Sequence, residues 1–243
     1  MLLQELKIIK TKSMKLSEVK KHLFESFIIF CEENNFKINK GNFKISSKSK
    51  EGEFGITFLE NHWFDEIQLM PEVFVDLNEI NQIIRKFNPN FWHTYNMNLK
   101  QLEFWMERKF WDEFEPDDKE KFKIFNYEEN IITTSNQIIE LYNSYGKQYI
   151  QNYSTPGGVD KLMNSDLLSP VQSHENFDSA WWHTAGFHTQ SFVGLVAAKL
   201  SRTDSDYLEI AQIYFDKIMQ HKKDETMYEH KIEEFLQLYN YLK

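Results

Sequence analysis

The chain has 243 residues, 16% of them aromatic, and a formal net charge of −9. That length and aromatic content set disorder aside and allow one large or two small packed domains. The single cysteine, Cys31, excludes an internal disulfide and fits a reducing, cytoplasmic compartment.

The charge is segregated. Residues 1–50 hold eleven Lys and five Glu, a net +6, and the remainder is −15. An acidic remainder argues against nucleic acid, which requires a basic face, and the basic start reads as solvated lysines around one helix and a hairpin. The first residues, MLLQELKIIKTKSMKL, lack the continuous apolar core of a signal peptide. No apolar run reaches the roughly 18 residues that a membrane span needs.

Residues 1–12 read as a short strand or an amphipathic lead-in. Ser17 is placed to cap a helix running to about Asn35, with Val19, Leu23, Phe24, Phe27, Ile28, Phe30 and Cys31 as its apolar stripe. Cys31 lies in that stripe and reads as an inert core thiol. From Phe36 to Asp76 the period changes to two. Phe36 and Ile38, Phe43 and Ile45, then Phe54, Ile56 and Phe58 alternate with other residues between turns at Gly41-Asn42 and Glu51-Gly52. Ile67, Leu69, Val73 and Val75 continue the alternation. This pattern predicts an antiparallel sheet with one buried face, and Pro71 predicts an edge strand or a bulge. Asp76 and Glu79 are spaced as a capping box for a short helix with Ile80, Ile83, Ile84 and Phe87 inward, stopped at Asn88-Pro89-Asn90.

Between residues 91 and 130 the aromatic density favours strands at Phe91–Tyr95, Leu102–Met106 and Phe122–Tyr127, with Leu99–Trp111 as a helix the competing reading. Thr134 and Gln137 form a second capping-box pair before Ile138, Ile139, Leu141, Tyr142, Tyr145, Tyr149 and Ile150 at helical spacing. Residues 152–178 read as a long connection carrying a short helix over Val159–Asn164. Its Pro156-Gly157-Gly158 lacks the Gly-Lys-Ser/Thr of a phosphate loop. Three helices come next. The first spans about Ser179–Leu200. The second starts near Asp204 with Tyr207, Leu208, Ala211, Tyr214, Phe215 and Ile218 inward. The third starts at Thr226 with Ile232, Phe235, Leu236, Tyr239 and Leu242 inward. The fold class is therefore α+β: an N-terminal helix packed on an antiparallel sheet, then a C-terminal helical bundle. The expected division is an α+β domain over 1–130 and a mainly helical domain over 131–243.

Chemistry-bearing residues concentrate between His174 and His188, where three His stand near two carboxylates, a combination that binds Zn or ferrous iron. His183 and His188, however, are five residues apart, about 500° on a helix, so they do not share a face. The segment leads out of the long connection, which crosses the boundary between sheet layer and bundle. Trp181, Trp182, His183 and His188 are thus the candidate ligand-binding residues of a cleft there, the Trp to stack and the His to hydrogen-bond, and the competing reading is that the same residues fill the domain junction as core. A second set, Trp63, Phe91, Trp92, Tyr95, Trp105 and Trp111, reads mainly as core. The acidic run Glu113, Glu115, Asp117, Asp118 and Glu120 lacks calcium-loop spacing. No Gly-x-Ser-x-Gly elbow occurs and Cys31 has no evident partner, so no catalytic residue, metal or cofactor is assigned.

The amphipathic helix, the hairpin Asn-Asn-Phe-Lys-Ile-Asn-Lys-Gly-Asn-Phe and the alternating strands resemble a broad group of uncharacterised bacterial domains. The stretch Ile131 to Asn164, with its Thr-capped helix, Tyr-Gly and Tyr-Ile-Gln-Asn-Tyr-Ser, is similar to the segment after the sheet in that group. The resemblance covers residues 16–164, and some members are suspected immunity proteins for secreted toxins. It transfers no site residue. The lack of a catalytic constellation and the net charge of −9 lead to the reading of a non-enzymatic cytoplasmic, immunity-like protein that binds a partner protein with a basic or aromatic surface, with no membrane or nucleic-acid partner. The alternative is a metal-dependent enzyme using His174, His183 and His188.

Overall fold

The computed structural model describes residues 15–63, 66–91, 95–106, 122–125, 128–168, 187–223 and 229–243. It is an α+β fold in which an N-terminal helix precedes an antiparallel sheet and helices come after it. The sheet is six-stranded: β1 (Lys37–Asn39), β2 (Lys44–Lys48), β3 (Gly52–Trp63), β4 (Glu66–Leu77), β5 (Tyr95–Asn98) and β6 (Phe122–Phe125). The spatial order is β1-β2-β3-β4-β5, with β6 also on β4.

The alternation lands as expected. Ile45, Ile56 and Val73 are cross-strand neighbours in register, and Met97 pairs with Val73. These four, with Phe58, Leu69 and Val75, are buried on one face. Helix α1 (Leu16–Ser26) lays Val19, Leu23 and Phe24 on that face. The Phe24 ring stands edge-on to Phe43 at 5.4 Å and to Phe58 at 6.4 Å.

Several local expectations are corrected. The first helix breaks at Phe27 (φ −91°, ψ 0°) and resumes as α2 (Ile28–Glu33). The break turns Ile28 outward, while Phe27, Phe30 and Cys31 stay buried. Ser17 lies inside the first turn, and the Glu18 carboxylate accepts the Lys15 amide at 2.9 Å instead. Pro71 is neither on an edge strand nor at a bulge, since the β3–β4 register runs unbroken from Gly52↔Leu77 to Trp63↔Glu66. It sits instead where β4 changes partner. β5 pairs with Glu72–Val75 and β6 with Glu66–Leu69, so the missing N–H falls between the two ladders. Asp76 lies within β4 rather than capping α3 (Asn78–Ile84), whose N-cap position is Leu77, and it supports that helix by accepting the Asn81 side-chain amide.

Leu99–Met106 is a helix, α4, rather than a strand. Leu99 and Leu102 are buried at i, i+3 spacing, and Asn98 Oδ1 receives the Lys100 amide at 2.9 Å as its N-terminal cap. Thr134 is not a cap, because α5 (Glu128–Leu141) has already begun and Thr134 is buried within it. A π-turn over Tyr142–Gly146 carries α5 on into α6 (Lys147–Tyr153).

The helix expected over Val159–Asn164 in the connection after residue 152 is present and longer. α7 (Pro156–Leu168) starts at Pro156, whose missing amide suits the first helical position, and Thr155 Oγ1 accepts the Gly158 amide at 3.1 Å. The three C-terminal helices are α8 (Phe187–Ser201), α9 (Asp204–Lys223) and α10 (Glu229–Leu242). Residues 191–198 of α8 are all buried, as expected of a helix apolar all round, and α3, α7, α9 and α10 surround it. α5 packs on α1 and α6 on β4, and one connected set of buried residues runs from Val19 to Leu242.

Candidate functional site

Of the expected ligand-binding residues, Trp181, Trp182 and His183 lie outside the described residues, as does His174. His188 occupies the first turn of α8. Among the described residues no group of three or more His, Cys, Asp and Glu is placed to hold a metal ion, and no helix is long and apolar enough to cross a membrane. Phe91 is core, its ring stacked 6.1 Å from Phe192. Trp92, Trp111 and the acidic run 113–120 lie outside the described residues. Cys31 is buried, and burial, helped by the Glu32 charge, pushes its thiol up to about 11, which keeps it from acting as a nucleophile near neutral pH.

Two polar clusters form from residues that no sequence spacing links. The first clasps α7, α8 and α9. Arg202 Nε donates to both Asp160 oxygens, at 2.9 and 2.8 Å. Asn164 Nδ2 donates to Asp160 Oδ1 at 2.7 Å and to the Gly194 carbonyl at 2.9 Å, and Tyr214 donates its hydroxyl to Asn164 Oδ1 at 2.7 Å. Asn164 and Tyr214 are fully buried. Burial, with the Asp160 charge, holds the Tyr214 hydroxyl well above its usual range, so it serves as a donor. Gly194 makes the clasp possible, because a Cβ there would stand 1.9 Å from the Tyr214 hydroxyl. Every group in the clasp is paired, which suits a structural role.

The second cluster lies on the sheet face away from α1. Glu53 accepts Lys44 Nζ at 2.7 Å and the Ser46 hydroxyl at 2.6 Å, with Lys48 Nζ 3.4 Å away. Burial alone would raise its carboxyl, but the Lys44 and Ser46 contacts outweigh that and lower it. Directly opposite in register, Asp76 is pushed up by burial, and the Asn81 hydrogen bond only partly offsets this.

The outer face of α9 differs from both. Leu208, expected inward, is 50% exposed, and Met219 is 37% exposed. Tyr207, Ala211, Tyr214 and Ile218 are buried as expected, and Leu208 is turned about 100° away from Tyr207. Phe215 is half-buried, its ring 5.1 Å from Tyr239 of α10. Glu209, Gln212, Asp216 and Lys217 occupy the exposed positions between, and Asp206 stands exposed just before Leu208. This face arranges apolar side chains among carboxylates with no nucleophile or paired acid and base beside them, so its chemistry is that of contact.

Compared with known proteins, the chain matches no family model, no curated protein and no solved structure.

Proposed function

We propose that the chain is a non-enzymatic, cytoplasmic binding protein that engages the basic surface of a protein partner, as an immunity protein engages a toxin. The observation that carries this reading is the outer face of α9, where Leu208 and Met219 stand exposed among Asp206, Glu209 and Asp216. Exposed apolar residues rimmed by charge suit protein contact, and an acidic rim steers a basic partner and disfavours an acidic one, nucleic acid included. The net charge of −9 acts in the same direction, and the lone, buried Cys31 suits a reducing compartment.

The test is affinity capture of the chain's partner from its source cell, identification of that partner, and titration of the two purified proteins at low and high salt. Saturable 1:1 binding that weakens with salt is the expected result. A captured partner that is nucleic acid, or binding indifferent to salt, would overturn the reading.

A further inference from the structure

We infer that the partner docks along the outer seam between α9 and α10, and that its docking element is an amphipathic helix carrying Lys or Arg beside its apolar stripe. This rests on the binding reading above and names the surface and the kind of occupant.

Leu208, Phe215 and Met219 stand at i, i+7 and i+11, so they form one line along α9, about 16 Å long at 1.5 Å per residue. The Phe215–Tyr239 ring contact fixes that line beside α10, where half-buried Leu236 lies one turn from Tyr239. The strip between two helices is long enough for about three turns of a third helix, which would meet it with apolar side chains at i, i+3, i+4 and i+7 spacing.

The rims set the charge of the occupant. Glu209 and Asp216 come directly after Leu208 and Phe215 on the solvent side of α9, and Glu233 lies one turn before Leu236 on α10, all without an ion-pair partner among the described residues. Gln212 Nε2 donates to Asp216 at 2.8 Å, which leaves that carboxylate its charge. Lys243 holds its ammonium 4.3 Å over the Tyr239 ring, and Lys222 lies one turn beyond Met219. Cations on either side of an apolar stripe would meet Glu209 and Asp216 on one rim and Glu233 on the other.

The probe is a fluorescein-labelled synthetic peptide of about 18 residues, with Leu at helical spacing and Lys on both flanks, titrated with the full chain by fluorescence anisotropy. Saturable binding is expected. It should weaken about tenfold in Leu208→Asp, the loss of one apolar anchor, and again in Glu209→Lys/Asp216→Lys, with melting temperatures unchanged. A matching peptide with Glu in place of Lys should not bind. Equal binding by the variants, or by the acidic peptide, overturns the inference. So does a wild-type dimer in sedimentation that Leu208→Asp dissolves, which would make a second copy the occupant. If the basic peptide fails to bind while the captured partner still forms its complex, the seam is wrong and the binding reading stands. If neither binds, both fall.

Discussion

The core under the sheet and the core around α8 solve the burial problem with different chemistry. Against the sheet, α1, α2 and the break between them bring Phe24, Phe27 and Phe30 onto Phe43, Phe58 and Phe36, with centroids 5.4 to 6.4 Å apart. Around α8 the apolar packing encloses a carboxylate, an amide, a guanidinium and a phenol that satisfy one another. Rings matched only by volume can repack, whereas hydrogen-bonding groups accept few partners at fixed distances. The sheet layer thus takes its register from backbone ladders and uses side chains to fill space. The helical layer has no such ladder between its elements and takes its register from the clasp.

Breaking the ring core should cost most. Phe27 is fully buried, and Phe27→Ala should lose roughly 3–5 kcal/mol in denaturant melts. A loss under about 1 kcal/mol, typical of a surface change, would contradict the packing.

Breaking the clasp should cost slightly less. Gly194→Ala puts a methyl group into the Tyr214 hydroxyl and should lose about 2–4 kcal/mol through overpacking and a lost hydrogen bond. Adding Tyr214→Phe removes the clashing oxygen, so the double variant should lose less than the two single losses combined. Strict additivity would mean the two sites do not meet.

A smaller change of opposite sign sharpens the comparison. Tyr149 is fully buried on α6, and its hydroxyl has no hydrogen-bond partner among the described residues, unlike Tyr214. Tyr149→Phe should therefore be neutral or gain up to about 1 kcal/mol, where Tyr214→Phe alone should lose. A comparable loss at both positions would show that Tyr149 has a partner.

The smallest effect is one of pH. Because burial raises the Asp76 carboxyl, the folded chain holds that proton to higher pH than the unfolded chain does, so this group's contribution to stability falls as pH rises through the carboxylate range. Asp76→Asn keeps an acceptor for Asn81 and carries no charge. It should gain on the wild type as pH is raised from about 3 to 7. Melting curves across that range would contradict this if the gap between the two proteins stayed constant or reversed.

The sheet was legible because its information is local. Ile45, Ile56 and Val73 announce their face by parity alone, and a one-residue slip would expose them all. Pro71 misled because parity does not say which strands flank β4, and its tolerance depends on β5 and β6 meeting there. The start of α7 was readable in Thr155-Pro156, a cap before a first-turn proline, but the glycines after it suggested a loop. The clasp was not legible at all. Asp160 and Asn164 are one turn apart, but Arg202 and Tyr214 reach them only after three helices have packed. The inner face of α9 was legible in Tyr207, Ala211, Tyr214 and Ile218, but apolarity alone also placed Leu208 inward, and the step of about 100° from Tyr207 turns it out.

Hydrogen–deuterium exchange of the chain, alone and bound to its captured partner, tests the central claim most directly, since it reports where the partner sits without altering a residue. The account predicts that slowed exchange on binding is concentrated in α9 and α10, at Leu208 to Met219 and around Glu233 to Tyr239, with α1 and the β1–β2 hairpin unchanged. Slowed exchange confined to the lysine-bearing hairpin at residues 37–50, with α9 and α10 unaffected, would contradict it.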